Sequence, residues 1–330
     1  MTTWTIFRGE GAPHEWQMPP TPPWRQFDGG PVIDAPYDED WATQRPNDLQ
    51  RAHAYRAAPS EVELVNVGIV LRRPVLVTGK PGTGKSTLAY AIAHELGLGP
   101  VLHWPITSRS TVQDGLYRYD AIARLQDANL AQQHHRPAAD IGQYLQLGPL
   151  GTALLPTERP RVVLIDEIDK SDVDLPNDLL NLLEEGEFRI PELVRISERE
   201  HDIDVGVEHA AVRARIRRGA VRCRAFPIII MTSNGEREFP PAFLRRCVRL
   251  DIPEPDSERL EAIVTAHLGV DALASSGDLI TQFLQRRSIG ELATDQLLNA
   301  IFLTIHADTT QATDRQELAS PVLRHLSTTS

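Results

Sequence analysis

The chain has 330 residues, 41% of them hydrophobic and 24% charged, values typical of a globular protein with one large domain or two smaller ones. Its formal net charge of -11 argues against a surface that binds nucleic acid over its whole extent, although a local basic patch remains compatible with it. Cys223 and Cys247 lack the spacing of a zinc site or a disulfide framework, and no apolar stretch reaches the roughly 18 residues that a membrane helix needs. The N-terminal residues lack the pattern of a signal peptide, so we expect a cytoplasmic protein with no membrane contact.

Residues 1–46 differ in composition from the rest of the chain. They hold eight of the 25 prolines and four of the five tryptophans. A proline-rich segment without periodicity is usually a linker, but disordered linkers are poor in aromatic residues. We therefore expect an extended arm whose tryptophans pack on its own core or on a neighbouring subunit, with a flexible tail as the alternative.

Between residues 47 and 252, short apolar runs alternate with helical patterns. The runs begin at Pro74, Arg161 and Phe226, and each is long enough for one buried strand. Continuous apolar strands separated by helices are typical of a parallel sheet that is covered on both faces. The sequence therefore predicts an α/β domain over this range.

From residue 253 to residue 330 the pattern becomes helical. Asp256 can cap a helix that ends at Gly269, and residues 288–291 have the form of a capping box before a later helix. The apolar face predicted for that later helix comprises Leu292, Leu297, Leu298, Ile301, Phe302 and Ile305. We expect a small all-helical domain that ends in a frayed tail of about a dozen residues.

Residues 79–86 have the sequence Gly-Lys-Pro-Gly-Thr-Gly-Lys-Ser, which matches the GxxxxGK[ST] pattern between a predicted strand and a predicted helix. Glycines let the backbone curl so that its amide groups point at phosphate oxygens, and the helix N-terminus adds a favourable potential for an anion. Lys85 would reach the β- and γ-phosphates of a nucleotide, and Ser86 would ligate Mg²⁺. The candidate phosphate-binding residues are Gly79, Pro81, Gly82, Thr83, Gly84, Lys85, Ser86 and Thr87.

Polar residues also follow the other two apolar strands. Asp166 and Glu167 lie at a strand's carboxyl end, where ligands bind in open α/β sheets. Asp166 would hold Mg²⁺, while Glu167 would orient and deprotonate an attacking water. Asn234 ends the third strand and could hydrogen-bond that water or the γ-phosphate, with an ordinary Asn-Gly turn as the alternative.

Two adjacent arginines, Arg245 and Arg246, follow a short helix start at Pro240. A guanidinium group can stabilise the charge that develops on a transferred phosphoryl group, and it can do so from a neighbouring subunit. Adjacent arginines on a surface are otherwise simply solvated. The order of the motifs along the chain favours the catalytic interpretation.

That order is P-loop, Asp-Glu strand, strand ending in Asn, arginine pair and helical lid, and over roughly residues 47 to 305 it resembles the AAA+ ATPases, most closely their MoxR-type branch. The resemblance implies a P-loop NTPase fold with a helical lid that binds ATP with Mg²⁺ and hydrolyses the β–γ bond. It implies that Asn234 is the sensor 1 residue. It also implies that Arg246, with Arg245 as second choice, reaches a neighbour's site as an arginine finger. MoxR-type proteins form hexameric rings and often work with von Willebrand factor A-type partners, so the resemblance implies a chaperone-like remodelling motor.

Two insertions agree with that branch. Residues 107–160 contain Leu-Gly-Pro-Leu from Leu147 onwards, similar to the family's helix-2 insert. Within residues 187–225, alternating runs flank a turn at Arg217-Arg-Gly-Ala, which resembles the family's pre-sensor-1 hairpin. The arginines of this segment are Arg213, Arg215, Arg217, Arg218, Arg222 and Arg224. They could grip an acidic partner or nucleic acid, or they form a solvated face balanced by acidic neighbours.

One departure from the family concerns the lid, where residues 288–291 lack the usual sensor 2 arginine. Arg286 or Arg287 is the candidate substitute. Three alternatives to an ATP-driven motor remain at this point. They are a small-molecule phosphotransferase, a nucleotide-gated scaffold whose hydrolysis times assembly with a partner, and a relative that uses GTP, because the motifs do not identify the base.

Overall fold

The computed structural model of the protein describes residues 4–137, 139–287, 292–306 and 318–323. Within these ranges the strands are β1 Val75–Thr78, β2 Leu102–Pro105, β3 Tyr117–Tyr119, β4 Leu145–Leu147, β5 Val162–Asp166, β6 Glu187–Arg189, β7 Asp202–Val207, β8 Ala210–Arg217, β9 Ala220–Arg222, β10 Ile228–Ser233 and β11 Val248–Asp251. The helices are α1 Trp41–Gln44, α2 Pro46–Ala54, α3 Pro59–Leu71, α4 Thr87–Glu95, α5 Val112–Leu116, α6 Ala121–Gln133, α7 Pro149–Ala153, α8 Leu175–Glu185, α9 Pro191–Val194, α10 Pro241–Leu244, α11 Ser257–Leu268, α12 Val270–Ala274, α13 Gly277–Arg287 and α14 Thr294–His306. Short 3-10 turns occupy Ile141–Tyr144 and Ile168–Lys170. No helix in the described ranges is long and apolar enough to span a bilayer.

The centre of the molecule is a parallel sheet with the order β11-β1-β10-β5-β2. Successive residues of one strand point to opposite faces, so Val163 and Ile165 pack in one apolar cluster while Val162 and Leu164 pack in another. Both faces are buried, which explains why these strands are continuously apolar. The predicted α/β fold class, a parallel sheet covered by helices and followed by a helical region, is confirmed.

The two insertions combine into a second sheet with the order β3-β4-β7-β8-β9-β6. At the position of the predicted hairpin, β8 and β9 pair through Arg217 and Ala220, and the turn residues Arg218 and Gly219 both have positive φ, as tight hairpin turns require. The longer hairpin between β7 and β8, which pairs Asp202 with Arg217, was not predicted.

Acidic residues pair with four of the six arginines in residues 213–224. Arg215 pairs with Asp204 at 2.9 Å, and Arg222 pairs with Asp28 at 2.9 Å. Similar but longer pairs are Arg217–Asp202 at 3.4 Å and Arg224–Glu158 at 3.7 Å. These contacts support the interpretation of a solvated, charge-balanced face over that of a nucleic-acid grip.

The N-terminal arm packs on its own domain. Ile6 and Phe7 are buried, and the indole Nε1 of Trp16 donates a hydrogen bond to the Leu96 carbonyl at 2.8 Å, whereas Trp24 is 75% exposed. Buried Asn66 on α3 anchors the arm with three hydrogen bonds. Its Oδ1 accepts from the Ile6 and Phe7 amides at 2.7 and 3.0 Å, and its Nδ2 donates to the Phe7 carbonyl at 2.7 Å. The arm is therefore held by backbone hydrogen bonds and apolar contacts, and only some of its tryptophans take part.

The helical region has an apolar core of its own, which includes Leu260, Phe283 and Ile301. The later helix starts at Thr294, and residues 288–291 lie outside the described residues. The predicted apolar face was too wide, because Leu297, Ala300, Ile301 and Thr304 follow the i, i+3, i+4, i+7 spacing that faces the core. Phe302 lies on the other side, 52% exposed and stacked on His306, and Ile305 is also exposed.

The expected frayed tail is wrong for part of its length. Ala319 and Leu323 are buried in the apolar core of the helical region. The backbone carbonyl of Leu323 also accepts a hydrogen bond from Arg286 at 2.9 Å. These residues therefore belong to the packed helical region.

Replacing Asn66 with Ala should lower the free energy of unfolding. The change leaves the buried amides of Ile6 and Phe7 without their acceptor, at about 1–3 kcal/mol for each donor that stays unpaired. Urea unfolding would measure the loss, and limited proteolysis would show faster cleavage in residues 1–46. Gln44→Ala is the control, since its hydrogen bond to Asp40 is exposed. Equal stability of both variants would contradict the anchoring role.

Candidate active site

A cavity of about 590 Å³ opens between the carboxyl ends of the central strands and the helical lid. Its floor is formed by the P-loop and by the ends of β5 and β10, and its walls come from the segment after α2 and from α11 and α14. The lining residues include Pro81, Gly82, Thr83, Gly84, Lys85, Ser86, Thr87, Asp166, Glu167, Thr232 and Asn234 from the sheet domain, and Arg259, His267 and Asp295 from the lid. Most of the residues named from the motifs therefore meet in one place.

The P-loop connects β1 to α4 and places Lys85 inside the site. Lys85 is only 7% exposed, and its Nζ donates hydrogen bonds to the carbonyls of Gly79 and Lys80 at 2.7 and 2.8 Å. Burial lowers the pKa of Lys85, and the negative charges of three nearby carboxylates oppose that shift. Gly82 needs φ of +76°, and a Cβ there would lie 2.7 Å from the Thr294 nitrogen, so the lid packs directly on the loop.

Asp166 at the end of β5 joins three segments of the site. Ser86 Oγ and Thr232 Oγ1 each donate a hydrogen bond to its Oδ1 at 2.6 Å, and His103 Nε2 lies 3.3 Å from its Oδ2. Burial alone would raise the pKa of Asp166, but hydrogen bonds from His103, Ser86 and Thr232 outweigh it and lower the pKa to about 2. A hydroxyl and an ionised carboxylate at this spacing form a hard oxygen donor set, which fits Mg²⁺.

Glu167 lies in the left-handed region, with φ 61° and ψ 49°. Such a conformation costs a non-glycine residue on the order of 1–3 kcal/mol and is concentrated at functional sites. The Glu167 amide donates to Thr232 Oγ1 at 2.8 Å, so the same threonine holds both acidic residues. The Glu167 carboxylate pairs with Lys170 at 2.6 Å, and this hydrogen bond raises the pKa of Lys170.

Asn234 lines the cavity and also begins a turn, and its contact with an attacking water or a γ-phosphate stays a prediction. Its amide donates to Asp169 Oδ2 at 2.8 Å, and the amide of Glu236 donates to the same oxygen at 3.2 Å. Gly235 between them has φ of +79°. Buried Asp169 therefore fixes the loop after β10 to the loop after β5, a role for which its sequence context gives no motif.

Arg245 and Arg246 do not line the cavity. Arg246 Nε donates to Glu184 Oε1 at 2.6 Å and its Nη1 donates to the Ala242 carbonyl at 3.0 Å, while Arg245 is exposed. Glu184 is on the last turn of α8, whereas the Glu167 segment precedes the first turn. The rise along this 11-residue helix separates its two ends by about 16 Å. The strand that follows the arginine pair begins opposite Val75 at the start of β1, whereas the phosphate-binding loop follows Thr78 at the other end of β1, so the two lie at opposite edges of the sheet.

The lid contributes a cation that the motifs did not indicate. The guanidinium groups of Arg286 and Arg287 donate to the carbonyls of Leu323 and Pro255 at 2.9 and 2.8 Å, and neither residue lines the cavity. Arg259 on α11 does line it, and its Nη2 lies 2.8 Å from Oε1 of buried Glu61. Arg259 lies in an ordinary amphipathic helix, so only the packing of the lid reveals its position.

Tyr55 completes this contact between the lid and the sheet domain. Its hydroxyl donates to Glu61 Oε2 at 2.7 Å, so one buried carboxylate holds both a lid arginine and a residue that lines the cavity. Burial, followed by the charge of Glu61, raises the pKa of Tyr55 well above its usual value. The phenol therefore stays protonated and acts as a donor.

A glycine-rich loop that opens a helix, next to a parallel strand ending in an ionised aspartate and beneath a helical lid, defines a P-loop nucleotide-binding domain. The family model described as AAA domain (dynein-related subfamily) matches residues 74–247, more than half of the chain, and the protein belongs to this family. The match begins just before β1 and extends past the arginine pair. No curated protein shows significant similarity to the chain.

Replacing Arg259 with Gln should weaken nucleotide binding, by roughly threefold to tenfold, because the lid loses its cation facing the cavity and its ion pair with Glu61. Calorimetric titration with nucleotide and Mg²⁺ would measure the change. Arg286→Gln is the matched control, since that side chain holds the lid together without lining the cavity. Equal affinities for the two variants would exclude a binding role for Arg259.

Proposed function

We propose that the protein is an AAA+ ATPase of the MoxR type, which hydrolyses the β–γ bond of ATP in a ring of identical subunits. One observation carries this proposal: the P-loop, Asp166 and Glu167 share one cavity, whereas the candidate finger lies at the opposite end of α8. Among the described residues, Arg245 and Arg246 lie outside the cavity of their own subunit, so we expect a finger from this pair to act at a neighbour's site. Assembly would complete the site.

Each residue has a role that its surroundings support. Lys85 would exchange the two loop carbonyls for the terminal phosphates, which bind an ammonium group more strongly because they carry full charges. Ser86 and Asp166 would hold Mg²⁺, which when bound neutralises charge on the phosphate oxygens. Glu167 would take the proton of the attacking water, and Asn234 would orient that water.

The second sheet supports the MoxR-type assignment. Both insertions contribute strands to it, so the helix-2 insert and the hairpin act as one structural unit beside the nucleotide domain. On this basis we propose a hexameric ring that remodels a partner protein, with a von Willebrand factor A-type protein as the class to test first. The ion pairs of Arg215, Arg217 and Arg222 make this sheet a weak candidate for nucleic-acid binding.

Lys85→Ala and Glu167→Gln should separate binding from hydrolysis. Without the ammonium group the loop loses its charge-assisted contacts, so Lys85→Ala should lose tight ATP binding in calorimetry. The amide side chain of the Glu167→Gln variant keeps the shape of the glutamate but cannot accept a proton, so ATP should bind and remain intact. Near-normal phosphate release by Glu167→Gln would show that another residue is the base.

Arg246→Ala should bind ATP almost normally but lose hydrolysis, by a factor of about 10³ if it matches known arginine fingers. Specific activity of the unmodified protein should rise with concentration as subunits assemble. Mixing Arg246→Ala with Glu167→Gln subunits tests the arrangement directly. At some interfaces the Arg246→Ala subunit supplies an intact nucleotide site and the Glu167→Gln subunit supplies an intact finger. The two inactive variants should therefore recover activity together.

Two outcomes would contradict the arrangement. Full activity of Arg246→Ala would exclude it as the finger and would make Arg245 the next residue to replace. A mixture that stays inactive, although mass measurement shows mixed rings, would mean that Arg246 acts within its own subunit. Parallel assays with GTP would identify the preferred base.

A further inference from the structure

The Glu184 carboxylate lies between two guanidinium groups. Its Oε1 accepts from Arg246 Nε at 2.6 Å, and its Oε2 accepts from Arg25 Nη1 at 3.0 Å. One arginine belongs to the N-terminal arm and the other is the candidate finger. The carboxylate therefore connects a segment of no assigned role to the residue on which hydrolysis is proposed to depend.

Arg25 is held rigidly on its side of this bridge. It is 7% exposed, and its Nη2 donates to the carbonyls of Arg72 and Leu183 at 2.6 and 2.8 Å. Its guanidinium carbon also lies 5.2 and 4.8 Å from the ring centres of Phe27 and Phe226. A planar group with this many fixed partners has little freedom to move, so it presents Nη1 in one place.

Arg25 also caps α8. Leu183 and Glu184 are in the last turn of that helix, where backbone carbonyls lack partners within the helix, and Arg25 donates to both carbonyls at 2.8 and 3.1 Å. The backbone and the side chain of Glu184 are thus oriented by the same arginine. An exposed ion pair normally contributes little free energy, because ordering two long side chains costs conformational entropy. Here Arg25 already orders the Glu184 carboxylate, so this cost is smaller.

Arg246 is consequently held by contacts within its own subunit. Glu184 Oε1 accepts a hydrogen bond from Arg246 Nε, and the Ala242 carbonyl accepts one from Arg246 Nη1. Among the described residues, no contact involves Arg246 Nη2. α10, which carries the Ala242 carbonyl, packs against α8. The Arg246 guanidinium is therefore oriented through its inner nitrogen, Nε, while its outer nitrogen Nη2 stays available to donate a hydrogen bond to another group.

We propose that Glu184, fixed by Arg25 of the N-terminal arm, is a positioning residue that orients Arg246 for the nucleotide site of the neighbouring subunit. This inference rests on the proposed function, because it requires Arg246 to act as the finger. The arm would then affect hydrolysis through Arg25. If the arm left the domain, Glu184 would lose the contact that fixes it, and the finger would be misaligned. A misplacement of about 1 Å can cost a reaction a factor on the order of 10².

The test compares Glu184→Ala with Glu185→Ala, which removes the adjacent exposed carboxylate of the same helix. We expect Glu184→Ala to lower kcat about tenfold or more, with an unchanged KM for ATP and an unchanged ring mass, and Glu185→Ala to keep its activity. Combined with Arg246→Ala, Glu184→Ala should cause no further loss. Mixing Glu184→Ala with Glu167→Gln subunits should restore activity, since the latter supply a correctly held finger. If Glu184→Ala fails to fold, Glu184→Gln replaces it in each of these comparisons, because the amide preserves the shape of the side chain.

The two proposals fail in different ways. If Arg246→Ala is fully active, the finger assignment itself is wrong. If Arg246→Ala is inactive but Glu184→Ala has the kcat of Glu185→Ala or a higher one, the positioning role alone is wrong. The positioning role is also wrong if Glu184→Ala is inactive and mixing with Glu167→Gln subunits restores nothing, because Glu184 would then serve its own subunit's site.

Discussion

The Asp166 carboxylate is the group on which the rest of the site depends. The strand order places β5 between β10 and β2, so that Thr232 and His103 approach Asp166 from its two sides while Ser86 approaches from the P-loop. A buried carboxylate is costly unless its oxygens are hydrogen-bonded. Here the hydrogen bonds outweigh the burial and keep the group ionised, with a pKa of about 2. The parallel sheet thus brings a charged carboxylate and its supporting hydroxyls together without a dedicated loop.

From this centre, rigid elements extend in two directions. Towards the lid, buried Glu61 holds Arg259 and Tyr55, so one carboxylate links the lid to the sheet domain beside the cavity. In the other direction, α8 begins a few residues after Glu167 and ends beside Glu184, which holds Arg246. Each direction ends in an arginine paired with a glutamate. Charged pairs of this kind set geometry more effectively than they add stability, and geometry is what phosphoryl transfer requires.

Local patterns in the sequence predicted the parts of the structure that depend on local physics. The three apolar runs became β1, β5 and β10, and Asp256 caps α11 as expected, because burial and capping are determined within a few residues. Lys85, Ser86, Asp166 and Glu167, which the motifs indicated, line one cavity. Arg259, Asp169 and Arg25 could not be found in this way. The hydrogen-bond partners of their side chains are 47 to 203 residues away in the chain, from Arg72 for Arg25 to Arg56 for Arg259, and no spacing rule covers such separations.

The contact that holds Arg246 in the isolated chain also bears on how the site could be switched. Glu184 and Arg246 are both partly exposed, with side-chain exposures of 40% and 27%, and a pair so exposed would be worth only about 0–1 kcal/mol in water without the fixing of the carboxylate by Arg25. A neighbour's nucleotide carries several negative charges and would compete easily for the outer end of the guanidinium. Arg25 is nearly buried and bound to three carbonyls, so it would not follow. The bridge therefore keeps Glu184 fixed and holds Arg246 through Nε and Nη1, while Nη2, which makes no contact among the described residues, is the end open to phosphate.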